Sequence, residues 1–376
     1  MMLKNFINSE RLSDYWRNID KNILFSFLAL FFLGVFFSFS STSSLAGERL
    51  NKDFYHYFSR HLTFSILAIS IMFIISYIKI SFLKKIILPM FTISLILLIL
   101  VPFLGVEIKG AKRWLDLFFF RLQPIEIIKP FFVLITASLI SSSKEKNSNY
   151  SYFLSLLILT AIIILLLNQP DIGQSILLIT TWLSIVFISG IKISYILLLF
   201  GLLIICSIAI LSIFPEKFGY ITQRLNTFFD PTKGDSFQTD KALAAIKQGG
   251  LKGQGMGEGI LKDSVPEAHT DYIIAVITEE FGSVISVFVV TIFLYISYKI
   301  IKNCIKISDE NSKISLCGLS SLLIFQTFIH IGVNTSLLPT TGMTLPFLSY
   351  GGSSLIGSSV LAGVILNFTK NRFKYE

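Results

Sequence analysis

The sequence ISLCGLSSLLIFQTFIHIGVNTSLLPTTGMTLPFLSYGGSSLIGSSVLAGVILNFT, residues 314–369, contains no Asp, Glu, Lys or Arg. This run is long enough to cross a bilayer twice, because one spanning helix needs about 20 apolar residues. Pro339, Gly342, Pro346 and Gly351 interrupt its middle, where they disfavour a continuous helix. The stretch therefore predicts two membrane-spanning helices around an irregular segment.

The rest of the chain has the same apolar character. Of its 376 residues, 53% are hydrophobic and only 15% are charged, and the mean hydropathy is +0.72. A soluble domain of this length would be far more polar, so the main solvent must be lipid. Seven further uncharged runs are candidate spans: residues 22–47, 61–78, 86–106, 147–170, 172–191, 193–215 and 281–298.

A tenth span is predicted from a run that is too short by itself. Residues 130–143 cannot cross the bilayer unaided, so the helix must include residues 123–129. This places Glu126 and Lys129 at the outer end of a membrane helix, three residues apart and able to pair on one face. Two interpretations stay open: a mutually neutralised interfacial pair, or a contact with a substrate.

The ten spans predict an all-α integral membrane protein with a single polytopic domain. Residues 22–368 form its core, and residues 1–21 and 369–376 are short tails. A large external loop, residues 216–270, joins spans seven and eight, because this segment carries too many charges to lie in hydrocarbon.

Lys and Arg in the short loops predict the orientation of the chain. Of the 32 Lys and Arg, 17 lie on the side of the termini and eight on the opposite side. The other seven lie in a loop too long to count. Both termini are therefore predicted to be cytoplasmic. The net charge of +9 reflects this bias and an affinity for anionic lipid headgroups, and no basic soluble domain is present to bind nucleic acid.

Two kinds of site find no support in the sequence. The four histidines lack the spacing of a metal site, so none is predicted. Residues 249–259 are rich in glycine but have neither the GxGxxG nor the GK[ST] pattern of a nucleotide-binding loop. Their glycines are expected instead to let the backbone pack closely or flex around a bulky substrate.

The external loop between spans three and four contains the sequence GAKRW at residues 110–114. It places two cations, Lys112 and Arg113, beside Trp114. An ordinary interfacial anchor would have this composition, since Arg, Lys and Trp are common at headgroup depth. The alternative is a phosphate clamp, because Arg offers a planar fork and Lys a compact charge.

Two acidic residues lie where external loops meet helices. Asp171, in the turn QPDIG at 169–173, is predicted to cap the following helix. Asp271, which ends the sequence PEAHTD at 266–271, lies at the mouth of a span. Partial desolvation there would raise its pKa and suit it to act as a general base, while a helix N-cap is the alternative.

The last external loop, residues 334–354, is rich in Pro, Gly, Ser and Thr. Backbone this irregular at membrane depth is tolerated only where it is buried in protein or lines a cavity, so a re-entrant element or broken helix is expected. Together the external loops bring cations, a helix-mouth carboxylate and polar backbone to one face. That combination suits an anionic amphiphile, and a lipid phosphate is the predicted substrate.

At these motifs the chain resembles the SEDS family (shape, elongation, division and sporulation), whose members polymerise lipid II into the glycan strands of peptidoglycan. The resemblance covers about residues 22–368. It rests on six ordered segments: GAKRW at 110–114, QPIE at 123–126, QPDIG at 169–173, FQTDKALAAIKQGGLKGQGMGEG at 237–259, PEAHTDYIIAVITEE at 266–280 and LPFLSYGGSS at 345–354. The sequences at 105–116 and 344–347 are more similar to the division branch, FtsW, than to the elongation branch, RodA.

The resemblance implies a mechanism and partners. Asp271 matches the Asp of the family's PEAHTD motif and is expected to be the catalytic base. Arg113, with Lys112 or Lys129 and beside Trp114, is expected to stabilise the leaving pyrophosphate. Further sugar or supporting contacts are assigned to Arg224, Gln238, Glu267 and His269. A divalent cation, Mg²⁺ or Mn²⁺, at the pyrophosphate is compatible with this scheme, although the sequence shows no dedicated protein cage for it.

The family also implies a class B penicillin-binding transpeptidase as partner, with other division proteins, at the septum of the bacterial inner membrane. Two other functions remain open at this stage. A lipid II flippase would share the polytopic build and the intramembrane charge of Lys129, although no inverted repeat is evident. A scaffold that only recruits the transpeptidase would not need Asp271.

Overall fold

The structure is a computed structural model that describes residues 9–41, 56–108, 110–117, 120–146, 150–230, 232 and 236–370. The predicted tail residues 1–8 and 371–376, and the end of the first predicted span at 42–47, lie outside these ranges. The helices are α1 (Ser9–Asn18), α2 (Lys21–Ser41), α3 (His56–Tyr77), α4 (Ile80–Leu104), α5 (Pro124–Lys146), α6 (Tyr150–Asn168), α7 (Ile172–Ile188), α8 (Ile193–Ile213), α9 (Pro215–Phe229), α10 (Phe237–Gly249), α11 (Ile273–Cys304), α12 (Glu310–Asn334) and α13 (Gly352–Phe368).

The described helices account for each of the ten predicted spans. Seven of them are long and apolar enough to cross a membrane: α2, α3, α4, α5, α6, α11 and α12. Three shorter apolar segments, in α7, α8 and α13, complete the set. The fold is that of an α-helical multi-pass membrane protein, as the hydropathy predicted.

Helices α5, α12 and α13 lie at the centre of the bundle. Most of α13 is buried, and it packs against α3 and α5. Its small residues permit this close approach: a Cβ atom on Gly357 would lie 2.2 Å from the carbonyl oxygen of Glu126. A Cβ atom on Gly363 would lie 2.9 Å from the carbonyl oxygen of Met72. Small residues at such contacts are typical of helices that pack within membranes, where van der Waals contact replaces the hydrophobic effect.

A small antiparallel sheet connects α4 to α5 within the otherwise helical membrane fold. Its strands are β1 (Val106–Ile108), β2 (Ala111–Asp116) and β3 (Arg121–Leu122), in the order β1-β2-β3. The polar loop cannot leave its backbone groups unpaired beside lipid, and pairing within the sheet satisfies them. Hydropathy gave no signal for strands this short.

The predicted external loop 216–270 contains helices α9 and α10 and a short 3-10 helix, Leu261–Ser264. The glycine-rich segment after α10 packs against a break in α11 at Gly282, where φ is 85°. Backbone hydrogen bonds join the two: Gln254 N donates to Glu279 O (2.8 Å), and Ser283 N donates to Gly250 O (2.9 Å). Close backbone packing is the role of Gly249 and Gly253, because added Cβ atoms there would lie 2.0 Å from Thr278 O and 2.2 Å from Glu280 O.

The uncharged run at 281–298 is only part of the eighth span. Helix α11 begins at Ile273, directly after the predicted external loop 216–270, and it buries the carboxylates of Glu279 and Glu280. Lys262 donates to Glu280 Oε1 at 2.5 Å, and Leu261 N donates to Glu279 Oε1 at 2.7 Å. Partners from the external segment thus make the burial of two adjacent acids tolerable.

Residues 335–351 form an irregular segment between α12 and α13, which confirms the expectation for this loop. Side chains of α12 satisfy its backbone: Gln326 Nε2 donates to Thr344 O (3.0 Å), and His330 Nδ1 lies 2.8 Å from Met343 O. This segment, the sheet and residues 215–272 meet at one end of the bundle, which we call the loop end.

Candidate functional site

A cavity of about 880 Å³ lies at the loop end. Its size is in the range of small-molecule sites. Residues of the sheet, of α3, of the segment 215–272 and of the segment 335–354 line it. The charged side chains in its wall are Arg60, Arg113, Arg121, Arg224, Asp116, Glu267 and Asp271, and the aromatic ones include Tyr57, Trp114, Tyr272 and Tyr350.

Asp271 is held in a tight turn directly before α11. The carbonyl oxygen of Glu267 accepts hydrogen bonds from the backbone N–H groups of Thr270 (3.0 Å), Asp271 (3.1 Å) and Tyr272 (3.3 Å). Glu267 has φ 56°, a left-handed conformation that costs energy for a residue other than Gly and marks a constrained turn. The N-cap position of α11 is occupied by Tyr272. The alternative prediction, that Asp271 is the N-cap of this helix, therefore has no support.

A second set of hydrogen bonds fixes this turn from α12 and the 335–351 segment. Asn334, fully buried at the end of α12, donates from Nδ2 to Asp271 O at 2.9 Å. Ser349 Oγ donates to Thr270 O at 2.6 Å, and Tyr350 N donates to His269 O at 2.8 Å. The backbone that presents Asp271 is therefore anchored on both sides.

Arg113 reaches the cavity from β2. Its Nε donates to Gln169 O at 3.0 Å, its Nη2 donates to Pro170 O, and Nε lies 4.0 Å from Asp171 Oδ2. Asp171 accepts from Gln174 N at 3.4 Å, which confirms its predicted role as the N-cap of α7. These contacts fix the guanidinium on one side and direct its Nη1 towards the segment 335–351.

Arg224, on α9, also lines the cavity. Its Nη1 donates to Thr340 O at 3.1 Å. Burial and the nearby positive charge of Arg113 lower the pKa of the Arg224 guanidinium. Two partly buried arginines in one cavity repel each other, so an anion between them would be strongly favoured.

The cavity brings together six of the nine predicted site residues: Arg113, Trp114, Arg224, Gln238, Glu267 and Asp271. It does not include Lys112, Lys129 or His269. Lys112 is exposed on β2, and the His269 ring stacks on Tyr57 with centroids 5.0 Å apart. The assignment of these three as substrate contacts has no support from the geometry.

Lys129 lies buried among the helices rather than at an interface. It pairs with Glu126 Oε2 at 2.8 Å, as the spacing predicted, and donates to Gln326 Oε1 at 3.1 Å. Gln174 Nε2 donates to Glu126 Oε1 at 2.8 Å. Side chains of α7 and α12 thus hydrogen-bond to the pair on α5. The pair is buried between helices, which corrects the expectation of an interfacial position.

Sequence reasoning missed several residues of the site. Arg60, Tyr57 and Arg121 line the cavity, and Asn334 supports it. The signal for Asn334 was present, since a buried amide at the end of an apolar span must find hydrogen-bond partners. Within the described residues, no three His, Cys, Asp or Glu side chains converge as a metal site.

These features define a polytopic membrane protein with an arginine-lined cavity that holds one anchored carboxylate at the end of the bundle. Residues 20–374 match the model of the FtsW/RodA/SpoVE family of cell cycle proteins. The chain belongs to this family, and the resemblance drawn from its motifs is confirmed.

Similar proteins include the probable peptidoglycan glycosyltransferase FtsW of Caulobacter vibrioides, 31% identical over 359 residues, which cover 95% of this chain and 91% of that protein. The protein of the same name from Geobacter sp. (strain M18) is 33% identical over 356 residues, 93% of this chain and 96% of that one.

Two solved structures share the fold. A chain in the structure of a peptidoglycan synthase complex has a TM-score of 0.76 at 24% identity, covering 93% of this chain and 97% of that one. Thermus thermophilus RodA has a TM-score of 0.68 at 24% identity, covering 93% and 96%.

Proposed function

We propose that this chain is a peptidoglycan glycosyltransferase that polymerises lipid II into glycan strands for the division septum. The observation that carries the proposal is the anchored carboxylate of Asp271 in a cavity that it shares with Arg113 and Arg224. The FtsW relatives, which carry the name of this activity, support it along nearly the whole chain.

In the proposed reaction, Asp271 takes the proton from the 4-hydroxyl of the GlcNAc of an acceptor lipid II. The hydroxyl oxygen forms a bond to C1 of the MurNAc at the end of the growing strand. The bond from C1 to the pyrophosphate oxygen breaks, and undecaprenyl pyrophosphate leaves with the electron pair. A base contributes typically 10²–10⁴-fold to such a step, and holding both lipids in one cavity adds proximity.

The cations of the cavity act on the leaving group. Negative charge grows on the pyrophosphate as the bond breaks, and preorganised donors stabilise that charge better than water does. Arg113 suits this role because its Nε and Nη2 are already fixed by backbone carbonyls, so little reorganisation is needed. Arg224 adds a second positive group, and Trp114, Gln238 and Glu267 are left to contact the sugars. A divalent cation would add charge neutralisation at the same pyrophosphate.

The proposal places the loop end outside the bacterial inner membrane and both termini in the cytoplasm. The distribution of Lys and Arg supports this orientation. We include a class B penicillin-binding transpeptidase as partner, because a chain of the same fold belongs to a peptidoglycan synthase complex. Other division proteins are expected at the septum with it.

The contacts of Glu126 and Lys129 bear on the flippase alternative. A polar route for a lipid headgroup would need accessible charge within the bundle. Here both side chains are almost completely buried and engaged with each other and with Gln174 and Gln326. They favour a structural role for the pair, so polymerisation is the better supported function.

The test is polymerisation of purified lipid II by this protein co-purified with its transpeptidase. Asp271→Asn keeps the shape of the side chain but removes the base, and it should abolish polymer while the protein stays folded by size-exclusion chromatography. Asp309→Asn, the same change in a residue that pairs with Lys84 away from the cavity, should retain activity. Polymer from Asp271→Asn at the wild-type rate would refute the assignment.

A further inference from the structure

Gly342 lies close to both groups on which the proposed reaction depends. A Cβ atom at this position would be 3.4 Å from Asp271 Oδ2 and 3.9 Å from Arg113 Nη1. Gly342 also has φ 67°, in the left-handed region. The residue belongs to the irregular 335–351 segment, whose backbone is fixed by α12 and by the turn of Asp271.

These two distances limit the separation of the groups. Asp271 Oδ2 and Arg113 Nη1 can lie no more than 7.3 Å apart. A hydroxyl hydrogen-bonded to the carboxylate and a phosphate oxygen hydrogen-bonded to the guanidinium would each lie about 2.8 Å from its partner. At this separation two such ligand groups can lie side by side, and the space in front of the Gly342 Cα borders both side chains.

We propose that Gly342 keeps the reaction space open: its lack of a side chain leaves the space in which the acceptor hydroxyl meets the pyrophosphate-bearing carbon. The inference rests on the proposed function and deepens it. The acceptor hydroxyl passes its proton to Asp271 and bonds to the sugar carbon there, and the departing pyrophosphate takes the electron pair towards Arg113. A methyl group at this position would occupy that space.

The protein itself can accommodate such a methyl group. Contacts of 3.4 and 3.9 Å are ordinary van der Waals distances, so Gly342→Ala creates no clash within the fold. Its remaining penalty is the positive φ, which a matched control can reproduce. Gly190, in the turn between α7 and α8, has φ 90° and no heavy atom within 4 Å of a Cβ. Gly190→Ala therefore bears a similar backbone penalty far from the cavity.

A third variant separates space from backbone strain. Asn tolerates the left-handed region better than Ala does, but it is larger. If occupied space causes the loss, the order of activity is Gly342, then Ala, then Asn. If backbone strain causes it, Asn recovers activity relative to Ala.

The experiment measures the initial rate of glycan polymerisation from lipid II with the transpeptidase present, for wild type, Gly342→Ala, Gly342→Asn and Gly190→Ala. We expect about a 100-fold loss for Gly342→Ala, because misplacing reactants by about 1 Å costs that much. We expect a greater loss for Gly342→Asn and a change within about twofold for Gly190→Ala.

Two results would overturn the inference alone: a Gly342→Ala rate within about twofold of an active wild type, or a higher rate for Asn than for Ala. Wild-type protein that makes no polymer would overturn the proposed function, and the inference with it.

Discussion

Replacing Asn334 with Ala removes the amide that anchors the turn of Asp271. Asn334 makes three hydrogen bonds: its Nδ2 donates to Asp271 O (2.9 Å) and His330 O (2.8 Å), and its Oδ1 accepts from Ala275 N (3.3 Å). At about 1 kcal/mol net per bond, the loss in stability is about 3 kcal/mol. A larger effect is expected on catalysis, because a shift of about 1 Å in the base can cost about 100-fold.

The chain offers a closely matched control at the other end of the bundle. Asn367 is equally buried, and its Nδ2 lies within hydrogen-bond distance of the carbonyl oxygens of Ile75 (2.8 Å), Ser76 (3.2 Å) and Ile78 (2.6 Å), which share its two N–H groups. Asn367→Ala therefore loses two hydrogen bonds and one shared contact, with a comparable cost of about 2–3 kcal/mol. It leaves the loop end unchanged.

The assay compares thermal unfolding and polymerisation per folded protein, below both unfolding midpoints. Both variants should unfold at lower temperature than wild type by similar amounts. Only Asn334→Ala should have a lower polymerisation rate, by about 10- to 100-fold relative to wild type, and it should still bind lipid II. If the two variants lost activity equally, the effect would be one of stability. Wild-type activity in Asn334→Ala would show that the anchor does not position Asp271.

Three further outcomes follow from the contacts. Glu126→Gln should destabilise the protein by about 3–5 kcal/mol, since it leaves Lys129 buried without its counter-charge. Adding Lys129→Met should recover most of the lost stability, measured by thermal unfolding. A Glu126→Gln variant as stable as wild type would contradict this prediction. Gly282→Ala should yield no folded protein, because its Cβ would lie 2.2 Å from a backbone oxygen, whereas Gly257→Ala, also at positive φ but in open space, should elute as wild type. Burial lowers the pKa of His269 from its usual 6.5, so below about pH 6.5 the folded state binds fewer protons than the unfolded state. The thermal unfolding temperature should therefore decrease as the pH is lowered below about 6.5. His269→Phe should weaken this pH dependence, and an unchanged dependence would exclude His269 as its source.

Much of this molecule follows from local properties of the chain. The ten spans were predictable because hydrophobic length alone decides whether a helix can cross lipid. The pairing of Glu126 with Lys129 and the cap at Asp171 were equally predictable, since each depends on spacing of three residues along one helix. The family motifs could be recognised from the sequence for the same reason, because each is a continuous segment.

The site itself was not determined locally. Lys112 and Arg113 are adjacent in sequence, yet Arg113 lines the cavity while Lys112 is exposed on the same strand. The hydropathy of the sequence did not predict strand β2. In the same way, only the fold shows that Lys262 and the glycine-rich segment supply the partners of Glu279 and Glu280.

The sequence by itself thus determined which segments enter the membrane and which family the chain belongs to. Only the tertiary structure decided which charges meet. The charges of the cavity, and buried carboxylates such as Glu280, meet partners that arrive from distant segments, and no window of sequence contains both. Asp271, Arg113 and Gly342 come from three separate loops, and their meeting at one cavity is a property of the fold alone.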